Sequence, residues 1–327
     1  MKITNVHVWR ADLGLRRPYT ITGQTVDTSE NIFIVIETDR GIQGIGSASP
    51  SERVSNESLD DCEQALRAIG GALQGEDLRH FHAVCSRIMY RVDATPAAVG
   101  AADMALYDAF CKIHEVRVVD YLGAVHKALP TSVTIGIKEL DAVRDDLLRY
   151  LKQGFTCIKV KIGLDLEHDL EVLHRMREWG GKAFRIRVDA NQGYDPGRLQ
   201  AFYKRTAALD IELIEQPFAV PGAEQMRAVT PEIRRMCMAD EDLQTVRDAV
   251  ALLQEPLPYG LWNIKLNKSG GVTGSKLLAD LAALRIIPLM WGCADESRVS
   301  ISAALHVAYA CANTRYLDLD GSFDLAR

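Results

Sequence analysis

The 327-residue chain has no run of about 18 apolar residues, so no membrane-spanning helix is expected. It has no excess of positive charge: 38 Lys and Arg face 44 Asp and Glu, a formal charge of -6. That balance excludes the electrostatic footprint of a nucleic-acid binder or a polybasic membrane surface. Paired cysteine motifs are missing. The seven cysteines are odd in number and scattered without a CxxC pair. They read as reduced, mostly buried residues of a cytoplasmic protein, not as a disulfide framework or a zinc site. The start, Met1 to Val6, alternates like a strand and lacks the apolar region of a signal peptide. Low-complexity segments and long linkers are also missing. What is present is ordinary for an enzyme, 47% hydrophobic and 25% charged residues, in a chain long enough for two domains.

The first part reads as antiparallel. Lys2 to Trp9 alternates with period two, and Asn31 to Thr38 is a β-branched run. Asp39-Arg40-Gly41 is a turn, and Ile42 to Ser47 returns. Thr20 to Glu30 is polar and reads as a loop and candidate lid, with a second loop over Ala48 to Glu57. Helical periodicity covers Leu59 to Leu73 and Leu78 to Val92, and the alanine-rich Ala97 to Lys112 reads as a buried helix. From about Pro130 the pattern becomes strand, loop, helix, repeated eight times. Such alternation predicts a parallel barrel. The fold class is therefore α/β: a modified TIM (β/α) barrel over residues 126–320, with an α+β capping domain over 1–125. The tail 321–327 is expected to return to the cap.

A rhythm of charged residues marks the barrel. Asp189, Glu215, Asp240 and Lys265 each close a short apolar run, with gaps of 26, 25 and 25 residues. A barrel spends roughly 30 residues per unit and carries its chemistry at the C-terminal strand ends. Three carboxylates on adjacent strand ends suit a hard divalent cation, which points to Mg²⁺. One unit earlier, Lys159-Val160-Lys161 places two lysines on one face of a strand. Mutual repulsion and a nearby metal both favour loss of a proton from one of them, and a neutral lysine is a general base. Lys161 and Lys265 stand four strands apart and would approach one carbon from opposite faces. A racemase or epimerase needs that arrangement: one lysine removes an α-proton, the other returns one, and the metal stabilises the enediolate between the two steps.

These segments, with Val188-Asp189-Ala190-Asn191, Glu215-Gln216-Pro217, Ala239-Asp240-Glu241 and Asn263-Ile264-Lys265, resemble the enolase superfamily, and within it the muconate-lactonizing-enzyme subgroup. The resemblance spans nearly the whole chain. It implies Asp189, Glu215 and Asp240 as Mg²⁺ ligands, Lys161 and Lys265 as the acid/base pair, and Lys159 as a holder of the substrate carboxylate. A histidine base on the seventh strand is missing. His306 lies too far into the following helix and reads as a packed helical residue. Lys268, past its strand end, reads as structural.

The eighth strand places Asp318 and Asp320 on one face, where they could hold a substrate ammonium. This Asp-x-Asp is similar to that of dipeptide epimerases. The expected reaction is inversion of the α-carbon of the C-terminal residue of an L,L-dipeptide, catalysed by a Mg²⁺-dependent isomerase. The first capping loop, around Gln24, offers no cation for a glutamate side chain. Glu52, Asp295 and Glu296 make an acidic rim that favours Lys or Arg as the second residue, although Asp295 could instead cap the next helix. The alternatives are L-Ala-D/L-Glu epimerase, or o-succinylbenzoate synthase and N-succinylamino-acid racemase, whose substrates carry no free ammonium. A homo-oligomer is expected, with no nucleic-acid or membrane partner.

Overall fold

The computed structural model describes residues 1–16, 19–21 and 24–326; the side chains of 19–21, 24–26 and Arg53 lie outside that description. Strands β1 (Ile3–Asp12), β4 (Glu30–Thr38) and β5 (Gln43–Ala48) form an antiparallel sheet in the order β1-β4-β5. The segment expected to be a plain loop instead holds β2 (Tyr19–Ile21) and β3 (Gln24–Val26), paired antiparallel. The cap helix Leu59–Leu73 packs on β1 and β4, and Pro96–Ile113 lies on β5. Its alanines have a geometric cause. A Cβ added at Gly46 would fall 1.9 Å from the carbonyl oxygen of Ala101, so strand and helix backbones nearly touch. Glu57 caps this helix, accepting from the Ala97 and Ala98 amides at 2.8 and 3.3 Å.

The second sheet runs β6 (Val133–Ile135), β7 (Cys157–Lys161), β8 (Arg185–Asp189), β9 (Ile211–Glu215), β10 (Cys237–Ala239), β11 (Leu261–Ile264), β12 (Leu289–Trp291) and β13 (Thr314–Leu317). Neighbours pair in parallel and in chain order. Thr131 bridges Leu317 in parallel, and the Ser132 amide donates to the Leu317 carbonyl at 3.0 Å, so the sheet closes into a barrel. Leu213, Met238, Leu261 and Met290 fill its lower interior.

Three joints tie cap to barrel. Asp103, fully buried in the alanine-rich helix, accepts from the Thr273 amide and hydroxyl at 2.9 and 2.7 Å, at the start of the helix Gly271–Leu284. The backbone carbonyl of Asp295 accepts from the hydroxyls of Ser29 and Ser49 at 2.9 and 3.2 Å. After the eighth strand, Leu325 bridges Leu15, and the Arg16 amide donates to the Asp324 carbonyl at 2.8 Å. No helix among the described residues is long and apolar enough to cross a membrane.

Candidate active site

Strand register brings the chemistry together. Lys161 is level with Asp189 across β7 and β8, and Asp189 is level with Glu215 across β8 and β9. Asp240 follows the last residue of β10, and Lys265 follows the last residue of β11. All five side chains therefore meet at the C-terminal mouth of the barrel. Asp189, Glu215 and Asp240 are fully buried. The Lys161 ammonium lies 2.7 Å from Asp189, and that of Lys265 lies 2.8 Å from Asp240.

Lys159, one pleat back, is buried among acids: 3.0 Å from Asp189, 2.7 Å from Glu215 and 2.8 Å from Asp318. Burial opposes its charge, but Asp189, Asp318 and Glu215 outweigh burial and hold Lys159 well above the usual lysine range. Burial likewise opposes the charge on Lys265, and Asp240 and Glu215 overcome it. Lys268 donates to the backbone carbonyl of Asp240 at 2.6 Å and also pairs with its carboxylate, the structural part expected of it.

The acids respond in opposite directions. Against burial, Lys159 and Lys161 pull Asp189 down to about 2. Against burial, Lys265 and Lys268 hold Asp240 well below the carboxylate range. Burial, then the charge on Asp189, pushes Glu215 up to about 8. Among the described residues no three acids are gathered around one point; Lys159 lies between Asp189 and Glu215, and Lys265 and Lys268 pair with Asp240. The donor set nevertheless fits Mg²⁺. It is all oxygen, its members are close enough to push each other's protonation, and a cation, the Lys159 ammonium, is already held between two of them.

Two cavity lobes meet at Lys161, Lys265 and the segment Cys293–Asp295. One faces the eighth strand and is lined by Thr134, Lys159, Asp318 and Asp320. The Thr134 amide donates to Asp320 at 2.7 Å, and burial, then the Asp318 charge, pushes Asp320 up to about 7. The other lobe, about 280 Å³, faces the cap and is lined by Ser29, Glu30, Ser49, Ser51, Val54, Glu241 and Glu296. Glu296 is buried and accepts from Asn267 at 2.6 Å and from the Ala294 amide at 3.1 Å. Ser297, not Asp295, caps the helix Arg298–Tyr309. Glu52 does not join the site. It opens the short helix Glu52–Ser55 and is exposed, while Val54 and Ser55 of that helix line the cavity. The Gln24 side chain lies outside the described residues. His306 is packed, its Nδ1 accepting from the Val119 amide at 3.1 Å.

Several supporting residues were not singled out from the sequence. Asn263 donates to Glu215 at 2.8 Å, and Gln216 accepts from the Asp240 and Asp242 amides at 2.9 and 3.2 Å. Period two places Asn263 on the face of Lys265, a signal that could have found it. Glu30 opens β4 and Ser49 follows β5, both in the cap, and neither carries such a signal.

Residues 3–123 match the mandelate racemase / muconate lactonizing enzyme N-terminal domain, and residues 142–325 match the enolase C-terminal domain-like family. The L-Lys-D/L-Arg epimerase of Desulforapulum autotrophicum is 45% identical, over 100% of this chain and 92% of that one. The L-Ala-D/L-Glu epimerase of Bacillus subtilis is 31% identical, over 98% and 88%. The crystal structure of a dipeptide epimerase from Methylococcus capsulatus, complexed with Mg and L-Arg-D-Lys, superposes with a TM-score of 0.97 at 43% identity, covering 100% of this chain and 93% of that one. The chain belongs to the enolase superfamily, in the mandelate racemase and muconate lactonizing enzyme family.

Proposed function

We propose that this protein is a Mg²⁺-dependent dipeptide epimerase that inverts the α-carbon of the second residue. The observation that carries this reading is the pair Lys161 and Lys265, four strands apart around the barrel, each against a different acid of one buried trio. Asp189, Glu215 and Asp240 would hold the metal. When bound, Mg²⁺ supplies positive charge beside the substrate carboxylate as its α-proton leaves. The protein's own residues do the rest. One lysine, neutral when it acts, takes the α-proton, and the other delivers a proton to the opposite face. Lys159 orients the substrate carboxylate, and Asp318 and Asp320 hold the amino terminus through charge-assisted hydrogen bonds. The cap, residues 1–125 with the tail 321–327, covers the barrel of residues 126–320 and excludes water.

The second side chain enters the cap-facing lobe. Glu30 and Asp295 on its lip, with Glu241 and Glu296 behind, favour a Lys or Arg there. The relative acting on L-Lys-D/L-Arg and the complex with L-Arg-D-Lys agree with that preference. A cytoplasmic homo-oligomer is the proposed setting. The test is mass spectrometry of pooled L,L-dipeptides in D₂O with Mg²⁺. One-deuteron gain concentrated in dipeptides ending in Lys or Arg, and lost on chelation, supports the reading. Gain mainly in Ala-Glu keeps the epimerase and removes the cationic preference. No gain in any dipeptide overturns the reading and favours N-succinyl amino acids.

A further inference from the structure

Arg187 sits two residues before Asp189, so strand alternation turns it into the barrel. A guanidinium cannot shed its charge, and burying one unpaired is very costly. Arg187 is 1% exposed and partnered through Nε and Nη1. Its Nε donates to Glu212 at 2.7 Å, its Nη1 donates to the Leu317 carbonyl at 2.7 Å and to the Ser132 hydroxyl at 3.2 Å, and its plane lies 4.9 Å from the Tyr316 ring centre. The Ser132 hydroxyl passes the interaction on, donating to Oδ1 of Asp318 at 2.5 Å. The other oxygen of Asp318 accepts from Lys159 at 2.8 Å. An unbroken polar chain thus runs inside the barrel from Glu212 through Arg187, Ser132 and Asp318 to Lys159.

We propose that Ser132, held by Arg187, is a positioning residue for the substrate's amino terminus and carboxylate: it fixes Asp318 so that one oxygen anchors Lys159 and the remaining lone pairs face the dipeptide ammonium. The inference rests on the dipeptide reading above. Ser132 touches no substrate and acts only through Asp318. The dipeptide ammonium, which Asp318 holds directly, carries the same charge in ground state and transition state, and Lys159 keeps its contacts to Asp189 and Glu215, so the loss belongs mainly in KM.

The experiment is steady-state epimerisation of L-Lys-L-Arg with Mg²⁺ by wild type, Ser132→Ala and Ser132→Thr. Ser132→Ala raises KM about tenfold, the scale of one hydrogen bond to a charged group, and leaves kcat within about twofold. Ser132→Thr, which restores the hydroxyl, brings KM back toward wild type. If Ser132→Ala does not fold, Ser132→Cys, a weak donor of similar size, gives a smaller rise of the same kind. An unchanged KM, a loss confined to kcat, or a threonine variant no better than alanine overturns the proposal. The parent reading fails separately, when wild type exchanges no α-proton in any dipeptide.

Discussion

The two lobes of the cavity are built on different plans. The lobe at the eighth strand is made by barrel strands and held from inside: Asp318 is fixed by Ser132 and Lys159, and Asp320 by the Thr134 amide. The cap-facing lobe is made by loops from both halves of the chain, stitched through backbone and small polar groups. The Asp295 carbonyl takes Ser29 and Ser49, the Ser297 amide donates to Asn31 at 3.0 Å, and Asn267 links Glu296 to the Ser49 amide. On the proposed reading, binding of the unvarying parts of a dipeptide would be rooted in strands, and reading of its variable side chain left to loops, which tolerate change.

That contrast can be broken in four places. The lysines sit where the lobes meet, so their loss is felt whatever the dipeptide. Lys161→Ala and Lys265→Ala each lower kcat for epimerisation about 10³-fold. Each variant still exchanges the α-proton of one epimer only, and the two variants keep opposite epimers. Exchange of both epimers by either variant would break the two-base assignment. On the strand-built side, Asp320→Asn lowers kcat/KM about thirtyfold, mainly through KM, because it removes charge from a desolvated ion pair. The loss is equal for dipeptides ending in Arg and in Ala. On the loop-built side, Glu30→Gln shifts only the preference for Arg over Ala as second residue, by about threefold, since an exposed charge is well screened. A uniform loss across dipeptides would erase the distinction between lobes.

The smallest effect is on stability. Burial pushes Asp103 up to about 6, so between about pH 4 and 6 the folded state holds a proton that the unfolded state has released. Stability from this group is full below that window and falls as pH rises through it. Asp103→Asn should flatten the slope of Tm against pH there, read by thermal melts across that range; an unchanged slope would remove Asp103 as its cause.

The sequence carried the strand-built half well. Asp189, Glu215, Asp240 and Lys265 were legible because a barrel repeats its chemistry once per strand, and Lys159 with Lys161, or Asp318 with Asp320, because alternate strand residues share a face. The same rule pointed at Arg187, two before Asp189, and it was not used. The loop-built half was less legible. Glu52 was expected to face the cavity, but a short helix capped by the Ser51 hydroxyl turns it outward and presents Val54 and Ser55 instead. Glu30 reaches the lip only because β4 carries it there, across a sheet and a domain joint that local pattern does not encode. The surroundings of Lys159 were illegible for a related reason: its nearest charges are carboxylates on three other strands, and a run of five residues shows only the neighbouring lysine.

The pairing of Leu15 with Leu325 joins the cap to a segment that follows the eighth barrel strand. During synthesis Leu15 leaves the ribosome long before the segment it must meet. The cap is therefore completed only after the eighth barrel strand has been made, and a truncated chain would hold an unfinished lid over an unfinished barrel. Assembly of the active-site cover thus waits on synthesis of the segment that follows the eighth barrel strand, and a nascent chain stalled in the seventh barrel unit should remain open to protease at the cap although most of its helices are already made.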